Sequence, residues 1–304
     1  MSSAPILVMM SWRGGDRLTR CLDSIAPAIE YFSRVVLSIT ATADSDDMRM
    51  ALEFQADHPA VEVICTQREL PTMQHQGFWV DYLRNTGVSS SEWIYWLAYD
   101  DEVRLAGIRS ITDSEGNWPL HPGHAYFGPW AMRHEGADQL WEGDPAAPLE
   151  SWTSFPAQGP TALPVLTWIK KQLEQPTYMQ MSGSVCEFGS YIDVYEGKPQ
   201  KHGPMRIEMA VAAARSTVTV EEFPEPVSII YGRSNSDRAS YGAAARKEDV
   251  HLLMWLARHS IRHPAESPEL LSIITSAIRM RIRSSLGRGS SPREQWRVRG
   301  SVQP

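Results

Sequence analysis

Four apolar runs separated by helical patterns constrain this chain more than any other feature. Residues 5–10 (PILVMM) form a continuous apolar run, as a strand buried on both faces would. Residues 34–40 (RVVLSIT), 61–66 (VEVICT) and 92–99 (EWIYWLAY) read as three more strands. Between the first two, Leu18, Leu22, Ile25, Ile29 and Phe32 recur at helical spacing, with Asp16 placed to cap the helix. Pro27 interrupts that pattern, so a kink or break is expected there. A second helix opens at Ser45-Asp46-Asp47 and stops before Pro59, and a third carries Phe78, Tyr82 and Leu83. Strands alternating with helices imply right-handed crossovers and a mostly parallel sheet. Ligands of such sheets bind beyond the carboxyl ends of the strands. The loop at Ser11, the loop at Thr40 and the acidic turn Asp100-Asp101-Glu102 are all predicted at that edge.

Composition narrows the class. A chain of 304 residues can bury one large core or two small ones. Hydrophobic residues at 42% and charged residues at 21% are those of an ordinary globular protein. A net charge of -7 argues against general affinity for nucleic acid. Cys21, Cys65 and Cys186 are too sparse for a disulfide framework or a metal-ligand spacing, and read as reduced thiols in a cytoplasmic protein. The short apolar run near the start has no basic region before it and is not expected to be a signal peptide. No apolar stretch approaches the ~20 residues of a membrane span.

Residues 118–164 are rich in Pro, Gly and Trp. Trp118, Trp130, Trp141 and Trp152 either pack loops onto the core or offer flat platforms to sugar rings. Further on, residues 205–215 read as a helix, 217–223 and 227–231 as strands, and 243–263 as a helix. Ser267-Pro268-Glu269 starts another helix over 270–286. That helix is amphipathic, with Leu270, Ile273, Ile274, Ile278 and Ile282 on one face. Arg279, Arg281, Arg283, Arg288, Arg293, Arg297 and Arg299 make the end of the chain basic, and from Gly287 it is expected to lack regular structure. The helix either packs on the domain or lies peripherally on an anionic membrane.

An acidic turn after a strand is by itself usually a solvated loop. Clustered carboxylates do suit a hard cation such as Mg²⁺ or Mn²⁺, which in turn suits a diphosphate. Here the turn has company. Arg84-Asn85-Thr86-Gly87, the apolar strand Trp93-Ile94-Tyr95-Trp96-Leu97 and Asp100-Asp101 together resemble the signature of glycosyltransferase family 2. Residues 6–25 resemble that family's first strand, loop and helix. Residues 34–47 resemble its second strand and turn, and 205–215 its acidic helix. The resemblance covers roughly residues 5–240 and implies a GT-A fold: α/β, with a mixed, mostly parallel, Rossmann-like sheet flanked by helices. It divides the chain into a GT-A domain at 1–245 (nucleotide-sugar half 1–115, acceptor half 116–245), C-terminal helices at 246–286 and a basic tail at 287–304.

The same resemblance implies a metal-dependent hexosyltransferase, inverting by single displacement. The donor would be a UDP-, dTDP- or GDP-linked sugar, and the acceptor hydroxyl would sit on a glycan, a lipid-linked molecule or a small molecule. Asp100 and Asp101 would hold Mn²⁺ or Mg²⁺. Ser11, Trp12, Arg13, Thr40, Arg84 and Asp100 would bind the donor. Glu208 would be the catalytic base, with Glu187 and Asp193 as alternatives; the plain reading of Glu208 is a helix-start carboxylate favoured by the dipole. The pattern departs from the family at Ala98, Thr40, Met209 and Ser234, where acidic residues or a His are usual. Base recognition must then differ, with Asp44 or Asp46 as substitutes. Two other functions fit the residues. One is a glycan- or nucleotide-binding protein without turnover. The other is a nucleotidyltransferase, which Arg13-Gly14-Gly15 only faintly echoes. His75, His202 and His251 read as core or surface histidines.

Overall fold

The computed structural model describes residues 4–134, 149–153, 155, 160–174, 181–195, 218–232 and 298–302, with five positions between 268 and 275. Strands β1 (Ile6–Ser11), β2 (Arg34–Ile39), β3 (Val61–Cys65) and β4 (Trp93–Ala98) are parallel, in the spatial order β3-β2-β1-β4. Helices α1 (Asp16–Ile25), α2 (Asp46–Asp57) and α3 (Thr72–Asn85) connect them. The alternation read from the sequence is therefore the fold of the first hundred residues. All six residues of β1 are buried, as a central strand covered on both faces requires. Ile6, Val8 and Met10 face a core containing Trp79, Val80 and Leu83 of α3. Leu7 and Met9 face the opposite core, with Leu18, Cys21, Leu22 and Ile25 of α1. The period of two along β1 thus meets the 3.6-residue period of a helix on each side. α1 stops at Ile25, and Pro27 sits at the start of a short 3₁₀ segment, Ala26–Tyr31, because Pro cannot donate to the preceding turn.

After β4 the chain makes β5 (Glu102–Val103), α4 (Leu105–Ile111), β6 (His124–Tyr126), β7 (Trp130–His134), β8 (Leu149–Trp152) and β9 (Ala162–Pro164). There follow α5 (Val165–Glu174), β10 (Ser184–Glu187), α6 (Phe188–Tyr195), β11 (Thr219–Glu221), β12 (Ser228–Gly232) and β13 (Val298–Val302). β10 lies antiparallel to β4 and extends the main sheet to β6, β11 and β9. A second sheet has the order β13-β8-β7-β12-β5. β5 begins on Glu102, the last residue of the acidic turn, and pairs antiparallel with β12, so that turn is the junction between the two sheets.

The middle tryptophans divide. Trp118 is buried, packs against Phe32, Tyr95 and Phe223, and donates its indole N–H to the Tyr31 carbonyl at 2.9 Å. Trp130 is fully buried and donates to the Ser182 carbonyl at 2.7 Å. Both pack the core and offer no platform. Trp141 and the side chain of Trp152 lie outside the described residues. So do the helices expected at 205–215 and 243–263. Within the stretch expected to lack structure, residues 298–302 form β13 and cover the edge of β8. A sheet edge with free N–H and C=O groups can recruit a strand that has little apolar character of its own. Ile274, on the apolar face of the predicted C-terminal helix, packs against the core while Leu271 is exposed. No described helix is long and apolar enough to cross a membrane.

His75 of α3 is buried, its Nε2 lies 2.8 Å from the Ser38 hydroxyl, and burial pushes its pKa down to about 4. An unfolded His titrates near 6.5. A depressed histidine pKa means the unfolded chain binds the extra proton, so stability is complete above about pH 6.5 and falls as the pH drops towards 4. The expected loss is about 2 kcal/mol between pH 7 and pH 5. Urea unfolding of the wild type and His75→Gln at both pH values measures it. The variant should lack this increment, and an identical pH dependence in both proteins would refute the assignment.

Candidate functional site

The carboxyl ends of β1 to β4 carry the loops that the sequence places together. The β1–α1 loop turns through Arg13 at φ 53° and Gly15 at φ 52°, and the loop after β3 through Gln67 at φ 58°. A left-handed backbone at a side-chain-bearing residue is uncommon and is held only where surrounding contacts impose it. At Gly14 a Cβ would lie 2.7 Å from the Leu18 Cβ, so only glycine lets the first turn of α1 close over the loop.

The contacts that impose this conformation come from α2 and the β3–α3 loop. Asp47 is 5% exposed, and its carboxylate accepts from the Ser11 hydroxyl at 2.6 Å and the Gly14 N–H at 2.8 Å. The Gly15 N–H lies at 3.4 Å. Asp16, expected to cap α1, sits in its first turn and makes no side-chain cap; Asp47 supplies the acceptor from another helix. On the outer side, Arg13 Nε and Nη2 donate to the two oxygens of Glu69 at 2.9 and 3.0 Å. Hydrogen bonding to Arg13 lowers the Glu69 pKa, and both side chains remain largely exposed. Trp12 is 48% exposed with the Arg13 guanidinium 5.4 Å from its ring centroid.

Thr40, at the end of β2, is buried and works between loops. Its Oγ1 accepts from the Leu70 N–H at 2.7 Å and the Thr66 hydroxyl at 3.2 Å, and donates to the Arg68 carbonyl at 3.4 Å. Asp44 on the following turn and Asp46, the first residue of α2, are both exposed. Asp46 lies 3.5 Å from Arg49.

The acidic turn is held from both sheets. Asp100 is partly exposed, and its backbone carbonyl accepts from Arg20 Nη2 of α1 at 3.1 Å. Asp101 is 5% exposed and its carboxylate accepts the Tyr231 N–H of β12 at 3.1 Å. Arg20 Nε lies 3.2 Å from Glu102, and the guanidinium sits 3.6 Å from the centroid of the Tyr231 ring. The Tyr231 hydroxyl donates to Glu102, and burial raises its pKa. The two carboxylates therefore face different surroundings. Asp100 is partly exposed at the sheet edge, while Asp101 is buried and spends hydrogen-bonding capacity on the sheet junction. Among the described residues no group of three His, Cys, Asp or Glu side chains is arranged to hold a metal. That donor set does not make a protein cage, but it fits a cation held by one or two carboxylates together with substrate phosphates.

Ser11, Trp12, Arg13, Thr40, Asp100 and Asp101 thus share one edge of the sheet. β1 and β4 are neighbours that end together: Met10 pairs with Ala98, and the Tyr99 N–H donates to the Met10 carbonyl at 3.0 Å. Arg84 is not brought to them. It is exposed in the last turn of α3, and Thr86, which caps that helix, accepts from Arg34, the first residue of β2. A crossover helix runs antiparallel to its strands, so its end lies a strand length, roughly 20 Å, from the carboxyl edge. Glu187 pairs with Trp93 at that same far edge, and Asp193 is exposed on α6. Glu208 and Ser234 lie outside the described residues. Asp47, Glu69, Arg20 and Tyr231 were not singled out from the sequence. Each acts through a residue distant in the chain, and no local spacing signals it.

No protein-family model matches this chain, and no curated protein matches it either. Solved structures do. The mannosyltransferase PcManGT from Pyrobaculum calidifontis, in complex with GDP-Man and Mn²⁺, is 11% identical with a TM-score of 0.51, over 96% of this chain and 77% of its own. TarS from S. aureus is 9% identical with a TM-score of 0.45, over 82% of this chain. The chain spans only 39% of the length of TarS. A 4-diphosphocytidyl-2C-methyl-D-erythritol synthase is 12% identical with a TM-score of 0.35, over 79% of this chain and 98% of its own. The likeness to the mannosyltransferase bears on the fold, which is α/β and GT-A-like, with a large, mostly parallel sheet flanked by helices.

Proposed function

We propose that this chain is a glycosyltransferase that moves a hexosyl group from a nucleotide-sugar to an acceptor hydroxyl. The observation that carries this reading is the shared edge: an exposed Trp12-Arg13 loop and a partly exposed Asp100 stand at the ends of two adjacent strands. Trp12 and Arg13 suit stacking on a nucleobase. Asp100, with Asp101 behind it, would hold a divalent cation, Mn²⁺ or Mg²⁺, that neutralises charge on the leaving diphosphate. Ser11 and Thr40 shape the donor loops from within. The acceptor would lose its proton to Glu208, our proposed base for an inverting displacement. The donor is UDP-, dTDP- or GDP-linked, and the acceptor is a glycan, a lipid-linked or a small molecule, met in the cytoplasm or at its membrane surface.

Of the two other functions, the nucleotidyltransferase has less support. It needs the amides after the first strand free for phosphate, and here Gly14 and Gly15 face Asp47. A binding protein without turnover draws support from Thr40, whose hydroxyl serves its own loops. Titration calorimetry with UDP, dTDP and GDP, with and without Mn²⁺, tests the proposal. Binding of one nucleotide that strengthens at least about tenfold with metal is expected. Absence of binding to all three would overturn it. Release of free sugar from the matching donor separates an enzyme from a binding protein.

A further inference from the structure

We infer that Asp47 is the positioning residue that presents Trp12 and Arg13 to the donor nucleotide; this rests on the donor site proposed above. Three observations carry it. The carboxylate is almost fully buried, so its charge needs compensation, and the Ser11 hydroxyl and the Gly14 N–H give it at 2.6 and 2.8 Å. It also lies where two helices begin. Asp47 is in the first turn of α2, and the amides it receives precede and open α1. Both helix dipoles favour a negative charge there. Finally, its partners bracket Trp12 and Arg13 on either side. With Ser11 and Gly14 anchored to one buried group, the two residues between them are forced outward, and Arg13 takes its left-handed backbone.

The loop is therefore organised before any nucleotide arrives. Asp47 faces inward and touches no ligand itself. Its effect on the donor passes through the two residues it holds, and small displacements of binding groups are costly. Removing the carboxylate strands a buried hydroxyl and a buried amide and frees the loop to rearrange.

The test compares wild type, Asp47→Ala and Asp47→Asn. Calorimetry with the nucleoside diphosphate and Mn²⁺ is run well below each unfolding midpoint. Asp47→Ala should weaken binding about 10- to 100-fold. Asp47→Asn keeps one acceptor oxygen for the Gly14 N–H and should recover part of that loss. Hydrogen exchange of residues 12–15 should quicken in Asp47→Ala while β1 and β4 stay protected. If both variants bind as the wild type does, or if exchange quickens equally across the sheet, the residue is merely structural and the inference fails. If the wild type binds no nucleoside diphosphate, the functional proposal and this inference fail together. Should Asp47→Ala not fold, Asp47→Asn carries the same comparison.

Discussion

Asp100→Asn is expected to lower transfer from a nucleotide-sugar by about 100-fold or more, the usual cost of removing one group that stabilises charge developing in a transition state. The substitution keeps the shape of the side chain and removes its charge. The hydrogen bond from Arg20 goes to the Asp100 backbone carbonyl, which the variant retains. Turnover should collapse and the Mn²⁺ concentration for half-maximal rate should rise, with both read well below the unfolding midpoint of the variant. Asp101→Ala gives the contrast. It leaves the buried Tyr231 N–H without this acceptor, so loss of activity there should come with loss of stability. An Asp100→Asn protein within twofold of wild-type turnover would remove this carboxylate from the mechanism.

The second large effect is on stability. Gly107→Ala is expected to cost about 3 kcal/mol or more, at the upper end for overpacking. A Cβ at Gly107 would lie 1.7 Å from the Pro226 carbonyl oxygen and 2.8 Å from its carbon. That oxygen cannot simply retreat. It accepts from Arg104 Nη1 at 3.1 Å, and the next carbonyl, of Val227, accepts from the Arg104 N–H and the Tyr95 hydroxyl, each at 2.9 Å. The segment leads directly into β12, which pairs with β5 and supplies the Tyr231 N–H to Asp101. Displacement at Gly107 should therefore reach the acidic turn. Urea unfolding with Gly77→Ala as control measures it, since a Cβ at Gly77 meets nothing within 4 Å. In a helix that control should be neutral or stabilising by up to ~1 kcal/mol. Equal midpoints for the two variants would contradict the packing argument.

Much of the first hundred residues is legible in the sequence. Uninterrupted apolar runs such as Leu7-Val8-Met9 suit a strand covered on both faces and nothing more exposed. The helical recurrence of Leu18, Leu22 and Ile25 gives the face that covers one side, and Pro27 marks its end. Alternation then sets direction, and direction puts Trp12, Thr40 and Asp100 on one edge. The same rule, applied to α3, would have put Arg84 at the other.

The order of elements and the edge at which chemistry gathers follow from local pattern, because periodicity and crossover direction are properties of neighbouring residues. Which polar groups turn inward there depends on packing between distant segments. Asp47 and Asp101 look like Asp46 and Asp100 in the chain. Burial against Ser11 and Gly14 turns the first inward, and a backbone amide 130 positions away engages the second. Thr40, at the mouth of β2, gives its hydroxyl to loops rather than facing solvent. A buried acceptor must find a donor wherever the fold brings one, and that donor's distance along the chain leaves no trace in local pattern.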